Sequence, residues 1–544
     1  MATPTTVYRA RRILTMHPAR PEASHVAVRD GRILGVGSID ELAGWGPYQI
    51  DDRFANQVLM PGFVEGHSHL MAGSLWRHVY CGWFDVRSPD GVQVAGAKSL
   101  DSVVAALSAH VPGGPDGSRI GWGFDPIYFG ARRCQRADLD RVSATAPVGV
   151  LHASGHILNV NSEVLRRAGL LRAGVDHPGI PLGEDGIPTG ELKGPEAMYP
   201  VMPHVGLDRR LLSGDEFGIR AFGKIAVRAG VTTATDLAAE ASDGEIDSWL
   251  QITGEADYPV RLVPFLRLIG RSPADTVARA IEIRTRSTER LRLGRIKAVA
   301  DGSIQGFSAR LRWPGYYNGA PNGLWYTAPQ TLREAYTLAL QHGVQIHTHT
   351  NGDEATDMAL DCLDDALRER PARDHRFTLQ HCQLADDAQF RRMQALGMGV
   401  NLFANHHYYW GEQHRAVTVG PERAERMNAC RSAIDAGVPF SVHSDAPITP
   451  LAPLFTAWCA VNRLSATGRV LGASQRISVM EALRAITLGS AWTLKLDGEV
   501  GSIECGKRAD FCVLGDDPTT VAPEALKDVP VWGTVQGGRI FQAP

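Results

Sequence analysis

The chain has 544 residues, 44% hydrophobic, 21% charged and 7% aromatic, close enough to the globular average to exclude a disordered, collagen-like or low-complexity protein. Fifty-six basic and fifty-nine acidic residues leave a net charge of −3, which carries no footprint for nucleic acid or an anionic membrane surface. No stretch approaches the roughly 20 consecutive apolar residues of a transmembrane helix.

The opening residues Met1 to Arg12 contain no apolar core of a secretory signal. Eight dispersed cysteines form no C-x-x-C pair, so free thiols in a reducing cytoplasm are expected. From Val26 to Gly37, two short apolar runs flank Asp30-Gly31, a hairpin signal. The same grammar returns at Asp510–Gly515 and Val531–Phe541. Residues 1–58 and 491–544 are therefore expected to build one small composite β-sandwich from both termini.

Between them, strand-like runs recur at Val58–Val64, Gly230–Asp236, Pro259–Leu268, Arg295–Ala300, Val344–His349, Phe377–His381, Met398–Phe403 and Val438–Val442. Most spacers carry helical periodicity, as in Leu332, Ala335, Tyr336, Ala339 and Leu340. The pattern predicts an α/β fold: a (β/α)8 TIM barrel over 59–490. The first spacer is too long for one helix, so an inserted subdomain is expected at about 75–215, rich in Gly and Pro (Gly113-Gly-Pro, His177-Pro-Gly-Ile-Pro).

Of the 19 histidines, several fall at the ends of these runs. The first run ends in Glu65-Gly-His67-Ser-His69, and the fourth holds Lys297 and Asp301. The fifth ends in His347-Thr-His349, the sixth in His381 and the eighth in His443-Ser-Asp445. Barrel strand ends converge on one face, and side chains at i and i+2 share a direction, so His67 and His69 can reach one ion. Imidazole with carboxylate favours zinc, with manganese and iron as alternatives. By the same i, i+2 rule His347 faces inward, a buried side chain one layer deeper than His349 or else a further ligand. No Gly-x-Ser-x-Gly elbow stands in a strand–helix context, which argues against a serine hydrolase.

Several motifs together resemble the amidohydrolase superfamily, in its family-3 branch of N-substituted formamide deformylase-like hydrolases. They are Leu59-Met-Pro-Gly-Phe-Val-Glu-Gly-His-Ser-His, Lys297-Ala-Val-Ala-Asp-Gly-Ser, His349-Thr-Asn-Gly-Asp, His406-His-Tyr-Tyr-Trp-Gly, His443-Ser-Asp-Ala-Pro and Gly501-Ser-Ile-Glu-Cys-Gly-Lys-Arg-Ala-Asp-Phe. The resemblance implies His67, His69, His349, His381 and Asp445 as ligands of one or two divalent ions, and Lys297 as a bridging lysine that reacts with CO2. A salt bridge from Lys297 to a carboxylate such as Asp236 is the plain alternative.

The reaction class that follows is hydrolysis of a C–N amide-type bond by a metal-activated hydroxide, with Asp445 as proton shuttle. His156, in Ser154-Gly-His-Ile-Leu-Asn, resembles a segment lying over the site and is a candidate to polarise the carbonyl; Asp125 is a weaker candidate. His406, His407, Tyr409 and Trp410 are candidate substrate contacts, their aromatic character pointing to an apolar substrate group. The expected substrate is a small amide, an N-substituted formamide or N-acyl amine, and a homodimer is in keeping with such barrels. A cyclic amide, ureide or N-acyl-amino-acid hydrolase is the alternative on the same site, with Arg310 and Arg312 as candidate carboxylate partners. A non-catalytic regulatory relative is a third reading.

Overall fold

The computed structural model describes residues 4–111, 116–130, 132–207 and 214–544; the Gly113–Pro115 stretch lies outside them. Two compact units divide the chain, one formed by 1–69 with 223–544 and the other by 70–222.

In the larger unit, eight parallel strands follow one another in sequence order: β1 (Phe63–Glu65), β2 (Val231–Ala239), β3 (Arg261–Arg267), β4 (Arg295–Val299), β5 (Ile346–Thr350), β6 (Thr378–His381), β7 (Gly399–Leu402) and β8 (Phe440–Val442). Strands β5, β6 and β7 are buried at every residue, because a parallel strand covered on both faces alternates nothing. Helices such as Asp243–Gly254, Pro273–Arg284, Pro329–His342 and Asp353–Glu369 fill the intervals between them. Ser242 and Ser272 cap the first two by accepting from the backbone N–H of Glu245 and Asp275. Closure comes at the strand ends: Asp445 N–H donates to His67 O (3.0 Å), and His69 N–H to Ala446 O (2.8 Å). The same bonds that shut the barrel thus bring the histidines of the first strand against the carboxylate of the eighth.

The expected run Val58–Val64 splits in two. Tyr48–Pro61 belongs to the terminal sheet, and the barrel begins at Phe63. Gly62 N–H donates to Asp510 O, whereas Phe63 N–H donates to Gly230 O, so the chain changes partner at one residue. Gly62 has no room for a side chain: a Cβ there would lie 2.1 Å from Thr232 Oγ1.

Both termini share a seven-stranded sheet, ordered Arg539–Gln542, Val531–Gln536, Phe511–Leu514, Tyr48–Pro61, Thr5–Leu14, Glu22–Arg29 and Arg32–Gly37. Asp30 and Gly31 both take positive φ in the hairpin between the last two, as a two-residue loop of that kind demands. The strands of both termini form one continuous sheet. It curls until Arg32 pairs with Arg508, enclosing Tyr8, Val26, Phe54, Phe511 and Val535 in one core.

The smaller unit carries a five-stranded sheet, ordered Glu191–Lys193, Ile157–Val160, Val148–His152, Arg119–Phe124 and Val79–Tyr80. Two apolar clusters serve it, one including Trp122, Leu158 and Val205, the other Phe124, Leu107 and Val150. In Val148–His152 alternate residues divide between the clusters, Val148 and Val150 on one side and Leu151 on the other, as strand periodicity requires.

Candidate metal centre

Three donors from the segments just past β1 and β8 meet at the C-terminal mouth of the barrel. His67 Nε2 and His69 Nε2 each lie 3.3 Å from Asp445 Oδ1. Together the three residues offer one ligand atom apiece within 4.8 Å of one another. His67, His381 and His443 form a second such group, with His381 Nδ1 3.1 Å from His443 Nε2 and 3.8 Å from Asp445 Oδ2. His67 is buried, whereas the His69 side chain keeps 20% of its surface exposed, so the group opens toward solvent on the His69 side.

Two of these residues sit in left-handed backbone. His381 has φ +71° and Asp445 φ +55°, conformations that cost non-glycine residues about 1–3 kcal/mol each. The strands turn sharply there, and the side chains are re-aimed into the mouth. The barrel-closing bond from Asp445 N–H to His67 O holds the second of them in place.

The electrostatics suit a cation. Burial pushes the imidazoles of His67 and His381 well below their ordinary pKa, with the nearby Lys297 and neighbouring histidines adding to the effect, so both are neutral donors. Burial alone would raise the Asp445 carboxyl; the hydrogen bond from His69 and the charges of His69, His443 and Lys297 hold it below its usual value. Lys297 is 2% exposed, and its Nζ makes no hydrogen bond. Burial brings its pKa down to about 7, with Asp445 acting in the opposite direction. His443 Nδ1 is likewise buried without a partner. Neutral imidazoles, an ionised carboxylate and two orphaned buried nitrogens fit a divalent metal.

His349 stands a step away. Its ring meets His381 edge-on at 4.6 Å, but its Nε2 faces Gly302 O at 3.2 Å, and it belongs to neither three-donor group. Asp301 holds that corner by accepting from the backbone N–H groups of Arg310, Asn351 and Gly352. His347 is committed elsewhere: Nε2 donates to Thr493 O, and Nδ1 accepts from Gln380 Nε2. It is a packed polar side chain and not a ligand.

After β7, helix His406–Gln413 carries the expected substrate contacts. His406 lies against Phe403 (4.5 Å) and Trp410 (4.5 Å), and its Nδ1 is 3.0 Å from His414 Nε2. His407 is a correction: it is buried, with Nδ1 and Nε2 turned to the backbone oxygens of Ala404 and Met427, so neither nitrogen is left for a substrate. Tyr409 is half-buried and packs on Phe455 and Trp410. Asp125 and His156 belong to the smaller unit. Asp125 caps a short helical turn by accepting from Ile127 N–H, and His156 occupies the turn between Val148–His152 and Ile157–Val160.

Four further residues were not legible as site components. Glu65 accepts from His67 N–H and from Ser444 Oγ–H, pinning β1 to the β8 end; burial raises its pKa to about 8 against those hydrogen bonds. Gln380, Asn401 and His443 also face inward. The signal for His443 was its place two residues before Asp445, the spacing that relates His67 to His69.

The chain is 28% identical over 550 residues to the protein LONG AFTER FAR-RED 3 of Arabidopsis thaliana, covering 97% of this chain and 90% of that one. It is 25% identical over 537 residues to the N-substituted formamide deformylase of Arthrobacter pascens, covering 95% and 94%. The crystal structure of an uncharacterized metal-dependent hydrolase from Pyrococcus horikoshii superposes with a TM-score of 0.74 at 18% identity, over 95% of this chain and 99% of that one. The model of the amidohydrolase family matches residues 55–542. With its barrel and its histidine–carboxylate mouth, the chain belongs to the amidohydrolase family, hydrolases that act on carbon–nitrogen bonds.

Proposed function

We propose that this protein hydrolyses the C–N bond of a small uncharged amide, an N-substituted formamide or N-acyl amine. The observation that carries the reading is the meeting of His67, His69 and Asp445 at the barrel mouth. These three would hold one divalent cation, zinc first among candidates; His381, with Lys297 and His349 nearby, would serve a second. When bound, such an ion supplies Lewis acidity and lowers the pKa of water toward about 7.

The protein's own part is acid–base and positional. Asp445 Oδ1 is shared by His67 and His69, which leaves Oδ2 to accept a proton from the attacking water and return it to the leaving nitrogen. Lys297, buried and near its neutral form at pH 7, suits addition of CO2 at Nζ: an N–C bond forms, a proton leaves, and a carbamate oxygen donor results. Arg310 and Arg312 are not spare carboxylate receptors. Arg310 pairs with Glu354 and stacks on Trp325, while Arg312 pairs with Asp357 and Asp386. Their engagement favours an uncharged amide over an N-acyl amino acid.

Metal analysis followed by amine release from N-benzylformamide, N-acyl amino acids and cyclic ureides tests the reading. Stoichiometric zinc with formamide turnover is expected. A metal-loaded protein inert across the panel would overturn it, and turnover of ureides alone would move the activity to the cyclic-amide class.

A further inference from the structure

Below the donors, a chain of hydrogen bonds runs from the floor of the barrel to His67, and each of its directions is forced. It starts at Thr493 O, at the end of helix Ser490–Thr493. A carbonyl only accepts, so His347 Nε2, 2.8 Å away, carries the proton and donates. His347 Nδ1 is then the lone pair, and the Gln380 atom 2.8 Å from it must be the NH2 group. That sets the amide: Gln380 Oε1 points the other way, 2.7 Å from His67 Nδ1. His67 must donate from Nδ1, which leaves Nε2 as its lone pair, on the side where Asp445 Oδ1 stands at 3.3 Å. Asn401 Nδ2 donates to the same Gln380 oxygen (2.9 Å), and Asn401 Oδ1 accepts from Ser441 Oγ (2.8 Å). Sheet register aligns Gln380 with Asn401 and Asn401 with Ser441, so the lock is built into the pairing of β6, β7 and β8.

We propose that Gln380 and His347 are positioning residues that fix the tautomer of His67, so that Nε2 is the atom offered to a cation. A ligating histidine needs its second nitrogen held by an acceptor, which orients the ring and raises its basicity. Here the acceptor is an amide, which could face either way; His347 and Asn401 decide the orientation. The inference rests on the metal-centre reading.

The test measures zinc affinity of the full-length protein by chelator competition, with the visible absorption of the cobalt-substituted protein as a second readout. Gln380→Met keeps the volume and removes the acceptor; it is expected to weaken zinc binding by about 10–100-fold and alter the cobalt spectrum. Gln380→Glu keeps an acceptor oxygen and is expected to bind zinc at least as tightly as the wild type. A packing role predicts the reverse order, since methionine fits and a buried carboxylate does not, and that order would overturn the proposal. His347→Phe is expected to weaken zinc binding in the wild type but change it by less than about twofold in the Gln380→Glu background, where no amide remains to be oriented. Equal losses in both backgrounds would also overturn it. Should Gln380→Met fail to fold, judged by melting of the metal-free protein, the His347 comparison decides alone. A wild type that takes up no zinc defeats the metal-centre reading itself, whereas zinc uptake with the reversed order defeats only the relay.

Discussion

At the scale of single residues, the division of labour at the mouth follows from burial. His67 and His381 lie deep enough to be neutral donors, while Asp445, 8% exposed and touched by His69, stays ionised. Asp445→Asn retains an oxygen donor beside the two β1 histidines but cannot take a proton. The variant is expected to keep its metal and lose about 10²–10⁴-fold in kcat; an unchanged kcat with metal in place would remove Asp445 from the proton-transfer role. His407 shows how adjacency misleads. It follows His406 directly, yet one step along a helix turns a side chain about 100°, and that rotation sends it to the carbonyl of Met427.

At the scale of elements, the barrel is tied to the terminal sheet by a buried ion pair. Arg261 of β3 donates from Nη1 to Asp510 Oδ2 (2.6 Å) and to Thr233 Oγ1 (2.9 Å), and from Nε to Glu289 O. Asp510 Oδ1 also accepts from Gly537 N–H. Both side chains are almost fully buried, at 1% and 2%. Removing one partner strands the other charge in a low-dielectric interior, so Arg261→Met is expected to destabilise the protein by about 3–5 kcal/mol. Urea unfolding at constant pH measures it, and a change under about 1 kcal/mol would show that water reaches the orphaned carboxylate. The zinc affinity of Arg261→Met is expected to be unchanged, because the pair sits away from the donors.

At the scale of the whole molecule, buried histidines set the acid limit of stability. Burial lowers His78 and His152 to about 4 and His414 to about 3. Each is neutral when folded, but the unfolded chain binds a proton below its ordinary value of about 6.5. The unfolded state therefore holds more protons as pH falls below 6.5, and stability present above that pH is lost progressively toward 4. The urea midpoint of the metal-free protein should fall steadily between about pH 6.5 and 5, before ordinary carboxylates titrate. A flat midpoint over that window would mean these histidines are solvated.

How much of this the sequence determined depends on the range of the interactions. The i, i+2 pair of His67 and His69 and the positive-φ turn at Asp30-Gly31 follow from local rules, because extended backbone sets which side chains share a face and a two-residue loop sets its own φ. The inward place of Asp445 does not, since its φ of +55° is held by the barrel-closing bond to His67 O. Barrel strands were legible as buried runs, and a helix pattern between them set their parallel order. The end of the first run was not, since the change of sheet at Gly62 is set by its distant partners, Asp510 O for Gly62 N–H and Gly230 O for Phe63 N–H. Nor could the relay through Thr493, His347, Gln380 and His67 be read, as its members are up to 426 positions apart, from 67 to 493. Each is an ordinary polar residue until barrel closure brings it within 3 Å of the next. Local periodicity chose the strands and most of the candidate donors; tertiary closure supplied the partners that face His67, because a hydrogen bond's direction depends on the partner that folding supplies.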